Sequence, residues 1–233
     1  VSERYVQMTG ECMRQFGVVV RDLGESRAFF VPGGGYAAAR YVVEGDWSAA
    51  AAILALGALA GDVRACGLEA TSLQADAAMV RLLRLMGATI SVTADGVRTS
   101  KSRLHACTFD LEESIDLLPV ACVLAAVADG RTLLTGIGRA RDKESDRVAA
   151  MADGLRSLGT RVEVDASEMR IWGGAPRGGM VSSAGDHRIA MAFGVLGAAV
   201  GDILIEDAEC VSKTYPAFWE TLQQLGVEVR YVE

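Results

Sequence analysis

Two hydrophobic patterns alternate along the chain. Stretches that are apolar on nearly every side and rich in alanine occur at Ala49 to Ala60, Leu117 to Ala128 and Ile189 to Val200, which predicts helices buried all round. Between them lie runs of helical period with one polar face and short segments of period two, such as those around Met151 and around Val162. Glycines punctuate both patterns. An apolar residue, a glycine and then a β-branched residue recur at Gly17, Gly87, Gly159 and Gly226, spaced 70, 72 and 67 apart. Gly61, Gly130 and Gly201 close the alanine-rich stretches at spacings of 69 and 71. Asp46, Asp116 and Asp186 each precede an alanine-rich stretch at intervals of 70, and Leu73, Lys143 and Lys213 open the other helix of each copy, also 70 apart. The chain is therefore an internal repeat.

Overlaying the copies gives a unit of strand, helix, strand, helix, strand, strand. In the first copy these fall at about 40–44, 47–60, 62–67, 74–86, 88–93 and 96–99, with the glycines closing helices in the left-handed conformation. The second copy runs from Ala106 to Trp172, and the third from Met180 to Glu233, where its last strand is missing. Residues 1–31 match the back half of an earlier unit, with Glu3 at the Lys143 position and Gly17 closing the helix. The linker Val31 to Tyr36 is glycine-rich but is followed by no phosphate-loop pattern, so it reads as a turn or hinge. The expected fold class is α+β, built from α/β-type repeats. Three βαβαββ units pack with pseudo-threefold symmetry, the alanine-rich helices inside and the sheets facing outward.

The 233 residues suffice for one large or two modest globular domains, at 51% hydrophobic and 23% charged. A net charge of −7 and a pI near 5.0 argue against a nucleic-acid or anionic-membrane partner held by bulk electrostatics. Any anion has to be caught by local geometry. The five cysteines are odd in number, widely spaced and never paired as C-x-x-C. That pattern suggests neither a disulfide framework nor a zinc site, and we expect reduced, mostly buried thiols in a cytoplasmic protein. The longest apolar run is broken by Gly57 and falls short of the ~20 residues a membrane span needs. No signal-peptide pattern opens the chain, which begins on Val1-Ser2-Glu3-Arg4 as an excised piece would.

Charge concentrates where helices begin. Helices related by a repeat point their N-termini the same way, gathering unpaired N–H groups at one face that favours phosphates and carboxylates. At those positions the first copy carries Ser72-Leu73-Gln74, which is bland. The second copy carries Lys143-Glu144-Ser145-Asp146-Arg147 and the third Ser212-Lys213-Thr214-Tyr215-Pro216. If the second-copy helix starts near Lys143, then Lys143 and Arg147 share one face. The other helix start changes from Glu44-Gly45-Asp46 to Ser114-Ile115-Asp116 and then Gly185-Asp186-His187-Arg188. Asp46 reads as an N-cap. For Asp116, a cap and a general base both stand. His187 and Arg188 place cations in a first helical turn, against the helix dipole, which calls for an anionic partner. Glu144 reads either as half of a surface ion pair or as a proton-transfer group tuned by neighbouring cations.

These motifs together resemble the 5-enolpyruvylshikimate-3-phosphate synthase family. The residues that carry the resemblance are Val1-Ser2-Glu3-Arg4-Tyr5, Tyr41 to Asp46, Leu85 to Ile90, Lys143 to Arg147, Asp186-His187-Arg188 and Lys213 to Pro216. The resemblance implies the inside-out barrel of the enolpyruvyl transferases, with two similar domains closing on substrates. Residues 1–39 would be the tail and hinge of the first domain, and 40–233 most of the second, whose last strand comes from the family's own N-terminus. It implies transfer of the enolpyruvyl group of phosphoenolpyruvate to the 5-hydroxyl of shikimate 3-phosphate, a step toward chorismate and the aromatic amino acids. Asp116 would be the base on the hydroxyl, and Glu144 the proton donor to C3 with Lys143 assisting. Ser2, Tyr5, Asp116, Arg139 and Lys143 would bind shikimate 3-phosphate. Arg147, Arg188 and Lys213 would hold phosphoenolpyruvate, with His187 beside them. No metal and no organic cofactor is implied, and the partner implied is the missing N-terminal half of the same enzyme. Arg139 departs from relatives that carry an uncharged polar residue there. Two competing readings are the related UDP-N-acetylglucosamine carboxyvinyltransferase and a non-catalytic, anion-binding half-module.

Overall fold

A computed structural model describes residues 3–24 and 28–232. The chain opens on α1 (Glu3–Gln15) and a short antiparallel ladder of β1 (Arg21–Asp22) with β2 (Phe29–Phe30). The first copy then supplies α2 (Trp47–Ala60), β3 (Asp62–Cys66), a 3-10 turn at Ala75–Ala78 that runs into α3 (Met79–Leu85), β4 (Thr89–Thr93) and β5 (Gly96–Ser100). The second copy supplies β6 (Thr108–Asp110), a 3-10 turn at Ile115–Leu117, α4 (Leu118–Val127), β7 (Arg131–Thr135), α5 (Arg147–Ser157), β8 (Arg161–Val164) and β9 (Glu168–Trp172). The third supplies β10 (Gly179–Ser182), α6 (His187–Val200), β11 (Ile203–Glu206) and α7 (Phe218–Gln224).

The alanine-rich helices form the centre, as their composition requires. Every residue of α4 from Leu118 to Ala126 is buried, and α2, α4 and α6 pack against one another pairwise. Small residues set the spacing between layers. A Cβ on Gly57 would lie 2.3 Å from Thr99 Oγ1 and 2.5 Å from Val63 Cγ2, and one on Gly154 would lie 2.4 Å from Phe193 Cζ. The sheets wrap the outside, with their outer positions exposed in alternation along β3, β4 and β8.

The second copy shows the complete unit, with strand order β6-β7-β9-β8. β6 and β7 are parallel across the α4 crossover, and β9 inserts antiparallel between β7 and β8. The first copy retains β3-β5-β4 and the third retains only the parallel pair β10-β11. The strand expected at 40–44 does not form. Ala37 N–H donates to Phe16 O at 2.8 Å and the Tyr41 ring sits 5.7 Å from that of Phe16, so the segment follows the end of α1 instead of β3. Its tie to the first sheet is Gly45 N–H to Gly67 O, 2.8 Å. The third strand of the third copy, expected after Gly226, is also unpaired, because the strand that would lie between it and β11 is not among the described residues.

Three further expectations need correction. The helix assigned to 74–86 begins as a 3-10 turn, and the helix expected from Lys143 begins at Arg147, capped by Asp146. Lys143 and Arg147 therefore do not share a helical face. The cysteines are free, but only Cys122 is buried and Cys66 is exposed. Among residues 3–43 as described, only Val18 is buried, and the contiguous core begins at Trp47.

Two glycines of the central helices make opposite predictions. Gly57→Ala forces a methyl into Thr99 and Val63, and should destabilise the chain by about 1–3 kcal/mol despite better helix propensity. Gly197→Ala meets only Ile203 at 3.4 Å, an ordinary contact, and should stabilise by up to about 1 kcal/mol. Urea midpoints of the two variants measure both; the same sign for both would contradict the packing described.

Candidate active site

Because α2, α4 and α6 point the same way, their first turns meet. Ser48, Asp116 and Arg188 line one shallow pocket at that meeting point. Asp46 and Asp186 are true N-caps, accepting the N–H of Ser48 at 2.8 Å and of Arg188 at 2.9 Å. Asp116 caps nothing. It lies inside the 3-10 turn, where the Leu118 N–H already serves Ile115 O and Pro119 has no N–H to offer. Its carboxylate is left for cations: Arg147 Nη1 at 2.7 Å, Lys143 Nζ at 3.3 Å and Arg188 Nη2 at 3.8 Å. Burial pushes its pKa up, but Arg188, Lys143 and Arg147 more than cancel that and hold the carboxyl below its ordinary range.

Arg147 is the hub. Its Nη2 donates to Glu144 at 2.6 Å and its Nε to Asp186 at 2.7 Å, so one guanidinium serves three carboxylates. The Arg147 side chain is 1% exposed and that of Asp186 0%. Arg147 is thus not the open anion fork its sequence suggests; its donors face carboxylates and it sits beneath the surface of the site. Truncating one side of such a buried pair costs about 3–5 kcal/mol. Lys213, from the third copy, reaches Glu144 Oε1 at 3.4 Å. Burial raises the Glu144 pKa, as does the nearby Asp186, yet a backbone hydrogen bond, Arg147 and Lys213 prevail and leave it lowered. His187 is buried beside Asp186, with Nδ1 3.8 Å from Oδ1 and no hydrogen-bond partner on that nitrogen. Burial lowers its pKa and favours the neutral ring.

Asp116, Lys143, Glu144, Arg147, His187, Arg188 and Lys213 therefore come together, from the second and third copies. Tyr5 joins them from α1: burial, then the charges of Asp76 and Asp116, push its phenol up to about 12, so it stays a hydrogen-bond donor. Arg139 turns away. Its side chain donates to Glu112 O, and Nε lies 3.4 Å from the Glu112 carboxylate. Ser2 lies outside the described residues.

Two first-copy residues went unseen in the sequence. Gln74, within the stretch read as bland, accepts the Trp47 N–H at 2.8 Å and donates to Gly45 O at 2.9 Å, tying down the start of α2. Asp76 is 1% exposed, accepts Ser48 Oγ at 2.5 Å and lies 3.5 Å from Arg188 Nη1, with Oδ1 unpartnered. Burial pushes its pKa up to about 6. Its register was readable: Asp76 lies 70 residues before Asp146.

Asp76 makes a linkage prediction. A carboxyl whose folded pKa exceeds its unfolded value binds more protons when folded, so its unfavourable contribution is present above about pH 6 and is relieved as pH falls toward 4. Asp76→Asn should therefore stabilise the chain near pH 7.5 by roughly 2–3 kcal/mol, and the gain should fade by pH 4. Urea unfolding across that range measures it; parallel pH profiles for variant and parent would refute it.

Comparison with known proteins agrees with this architecture. The family model of EPSP synthase (3-phosphoshikimate 1-carboxyvinyltransferase) matches residues 1–222. A 3-phosphoshikimate 1-carboxyvinyltransferase of Dehalococcoides mccartyi is 44% identical over 225 residues, covering 97% of this chain and 54% of the relative. That of Methanopyrus kandleri is 40% identical over 233 residues, covering 99% and 54%. The solved EPSP synthase of Acinetobacter baumannii superposes with a TM-score of 0.84 at 28% identity over 95% of this chain and 54% of that one. The enolpyruvyl transferase NikO of Streptomyces tendae, at 21% identity and a TM-score of 0.78 over 97% of this chain and 54% of its own, shares the fold. The chain spans about half the length of the curated relatives it matches. With that coverage, and with the repeat and the clustered helix starts in place, the chain belongs to the EPSP synthase family.

Proposed function

We propose that this chain is the C-terminal part of a 3-phosphoshikimate 1-carboxyvinyltransferase, with residues 1–39 the tail and hinge of a first domain and 40–233 most of a second. The observation that carries the reading is the meeting of Asp116 and Glu144 on one guanidinium, each also faced by a lysine: Lys143 for Asp116 and Lys213 for Glu144. Two carboxyls placed this way can take a proton at one point and give one at another. The 5-hydroxyl oxygen of shikimate 3-phosphate attacks C2 of phosphoenolpyruvate, Asp116 takes the hydroxyl proton, and Glu144 gives a proton to C3. Loss of the C3 proton from the tetrahedral adduct then expels phosphate from C2 and leaves the enolpyruvyl ether.

Arg188 and Lys213 are the cations placed to hold phosphoenolpyruvate, with neutral His187 beside them. Lys143 and Tyr5 face the shikimate 3-phosphate side, to which Ser2 and Arg139 are also assigned. Arg147 acts through the carboxylates it holds. Negative charge arriving with both substrates competes for Lys213 and raises the Glu144 pKa, in the direction a proton donor needs. Fixed cations stabilise the charge of the departing phosphate without reorganising.

The charge balance supports a shared site. Among the described residues, four carboxylates (Asp76, Asp116, Glu144, Asp186) face four cations (Lys143, Arg147, Arg188, Lys213), so this cluster has no surplus positive charge for two multiply charged anions. The remaining cations would come from the other half, which the substrates bridge. Among the described residues, no helix is long and apolar enough to cross a membrane.

We expect residues 1–233 alone to release no phosphate from phosphoenolpyruvate and shikimate 3-phosphate, and activity to return when the N-terminal half is supplied. Turnover by the chain alone would refute the shared site, and silence after complementation would favour a non-catalytic module. In the complete enzyme, Lys213→Ala should weaken phosphoenolpyruvate binding by roughly 10- to 100-fold, the loss of one charge-assisted contact, and shikimate 3-phosphate binding far less. Calorimetry with each substrate separates the two, and an equal or reversed pattern would sink the assignment.

A further inference from the structure

Asp186 does more than cap α6. Its Oδ1 takes the Arg188 N–H at 2.9 Å, while Oδ2 takes Arg147 Nε at 2.7 Å and Ser145 Oγ at 3.2 Å. Capping alone does not need a full charge here, since Asn and Ser cap as well as Asp. The equivalent cap in the first copy, Asp46, is exposed and lies outside the ion-pair network of the site. What distinguishes Asp186 is the guanidinium pressed against it. Arg147 and Asp186 are both fully buried, and each of the other two carboxylates on Arg147 reaches solvent, Asp116 at 17% and Glu144 at 32% exposure.

We propose that Asp186 is the positioning residue of the proton-transfer pair: as the buried counter-charge of Arg147, it fixes that guanidinium between Asp116 and Glu144 and balances its charge there. Ser145 supports the arrangement from the strand-to-helix bend, bonding the same Oδ2 that holds Arg147 Nε. Without the Asp186 charge the geometry would leave Arg147 to Asp116 and Glu144 alone. Both would then become stronger acids, the wrong direction for Glu144 as a donor and for Asp116 as a base. The neighbours are accounted for on every side. Glu144 faces Arg147 on α5, Asp186 and His187 on α6, and Lys213 of the third copy. Asp116 faces Lys143, Arg147 and Arg188, with Asp76 and Tyr5 beyond Arg188. The bearing of this arrangement on catalysis rests on the enolpyruvyl-transfer reading; the electrostatic arrangement itself does not.

The test reads the carboxyls directly. Carbon-13 NMR titration of Glu144 and Asp116 in the full chain is compared for the parent, Asp186→Asn, Arg147→Gln and the double variant. Asn keeps the cap and removes the charge. We expect Asp186→Asn to lower the Glu144 midpoint by ~0.5–1 unit, Arg147→Gln to raise it, and the double variant to return it close to the parent. Unmoved midpoints in Asp186→Asn, accompanied only by a lower melting temperature, would reduce Asp186 to a cap and overturn the proposal. If Asp186→Asn does not fold, Arg147→Gln and the double variant, which lack the unbalanced buried cation, decide the matter. Glu144 should titrate lower in the double variant than in Arg147→Gln, and equal midpoints would overturn the proposal. In the enzyme complemented with its other half, Asp186→Asn should lower kcat more than it raises KM for phosphoenolpyruvate and move the acidic limb of the pH profile down. If the complemented parent releases no phosphate, the transferase reading fails while the titrations still decide the role of Asp186.

Discussion

Everything in this molecule follows from three helices that have almost no polar face. A helix apolar on all sides has to be surrounded, and three of them satisfy one another only by packing together and leaving the sheets outside. α2, α4 and α6 come from equivalent places in successive copies, so they enter the centre in the same sense. Their first turns then coincide whatever residues occupy them. The chemistry is a consequence of packing: the repeat creates one place where three helix starts meet, and the copies diverge in the charges they bring there.

That divergence has a physical limit. Placing four carboxylates and four cations at the end of an apolar core is tolerable only if each charge has a counterpart, and the ion pairs around Arg147, Lys143, Arg188 and Lys213 supply it. Asp116 is available because α4 is entered through a 3-10 turn and its own second residue, Pro119, lacks one donor that a cap would have used. Local backbone chemistry at Pro119 thus decides the electrostatic role of a residue three positions earlier.

The spacing of 70 between Asp46, Asp116 and Asp186 made the repeat and its buried helices readable from the sequence, because those features depend on composition and local periodicity. The clustering of Lys143, Glu144, Arg188 and Lys213 was also within reach, since charges at equivalent helix starts share a place. What sequence reasoning missed depended on partners distant in the chain. Asp76 sits in a small apolar run and looks like an ordinary polar interruption; only the fold brings Ser48 and Arg188 to it. Arg147 read as an anion fork because its type suits that use, and only packing against Asp186 turned it inward. The segment at 40–44 carries strand-like residues, yet the Phe16 and Tyr41 rings draw it elsewhere.

The incomplete sheets have a consequence of their own. Among the described residues, β3 is paired along one side only, as is β11, so each presents a row of backbone donors and acceptors along its free side. Beside them, Met180 and Leu204 are exposed on the third-copy sheet, and Val42 and Val43 on the segment that skirts the first. Open, apolar strand edges of this kind recruit whatever extended chain is at hand, including copies of themselves. Any extended chain that pairs there competes with self-association, and solubility becomes a property of how quickly those edges are covered.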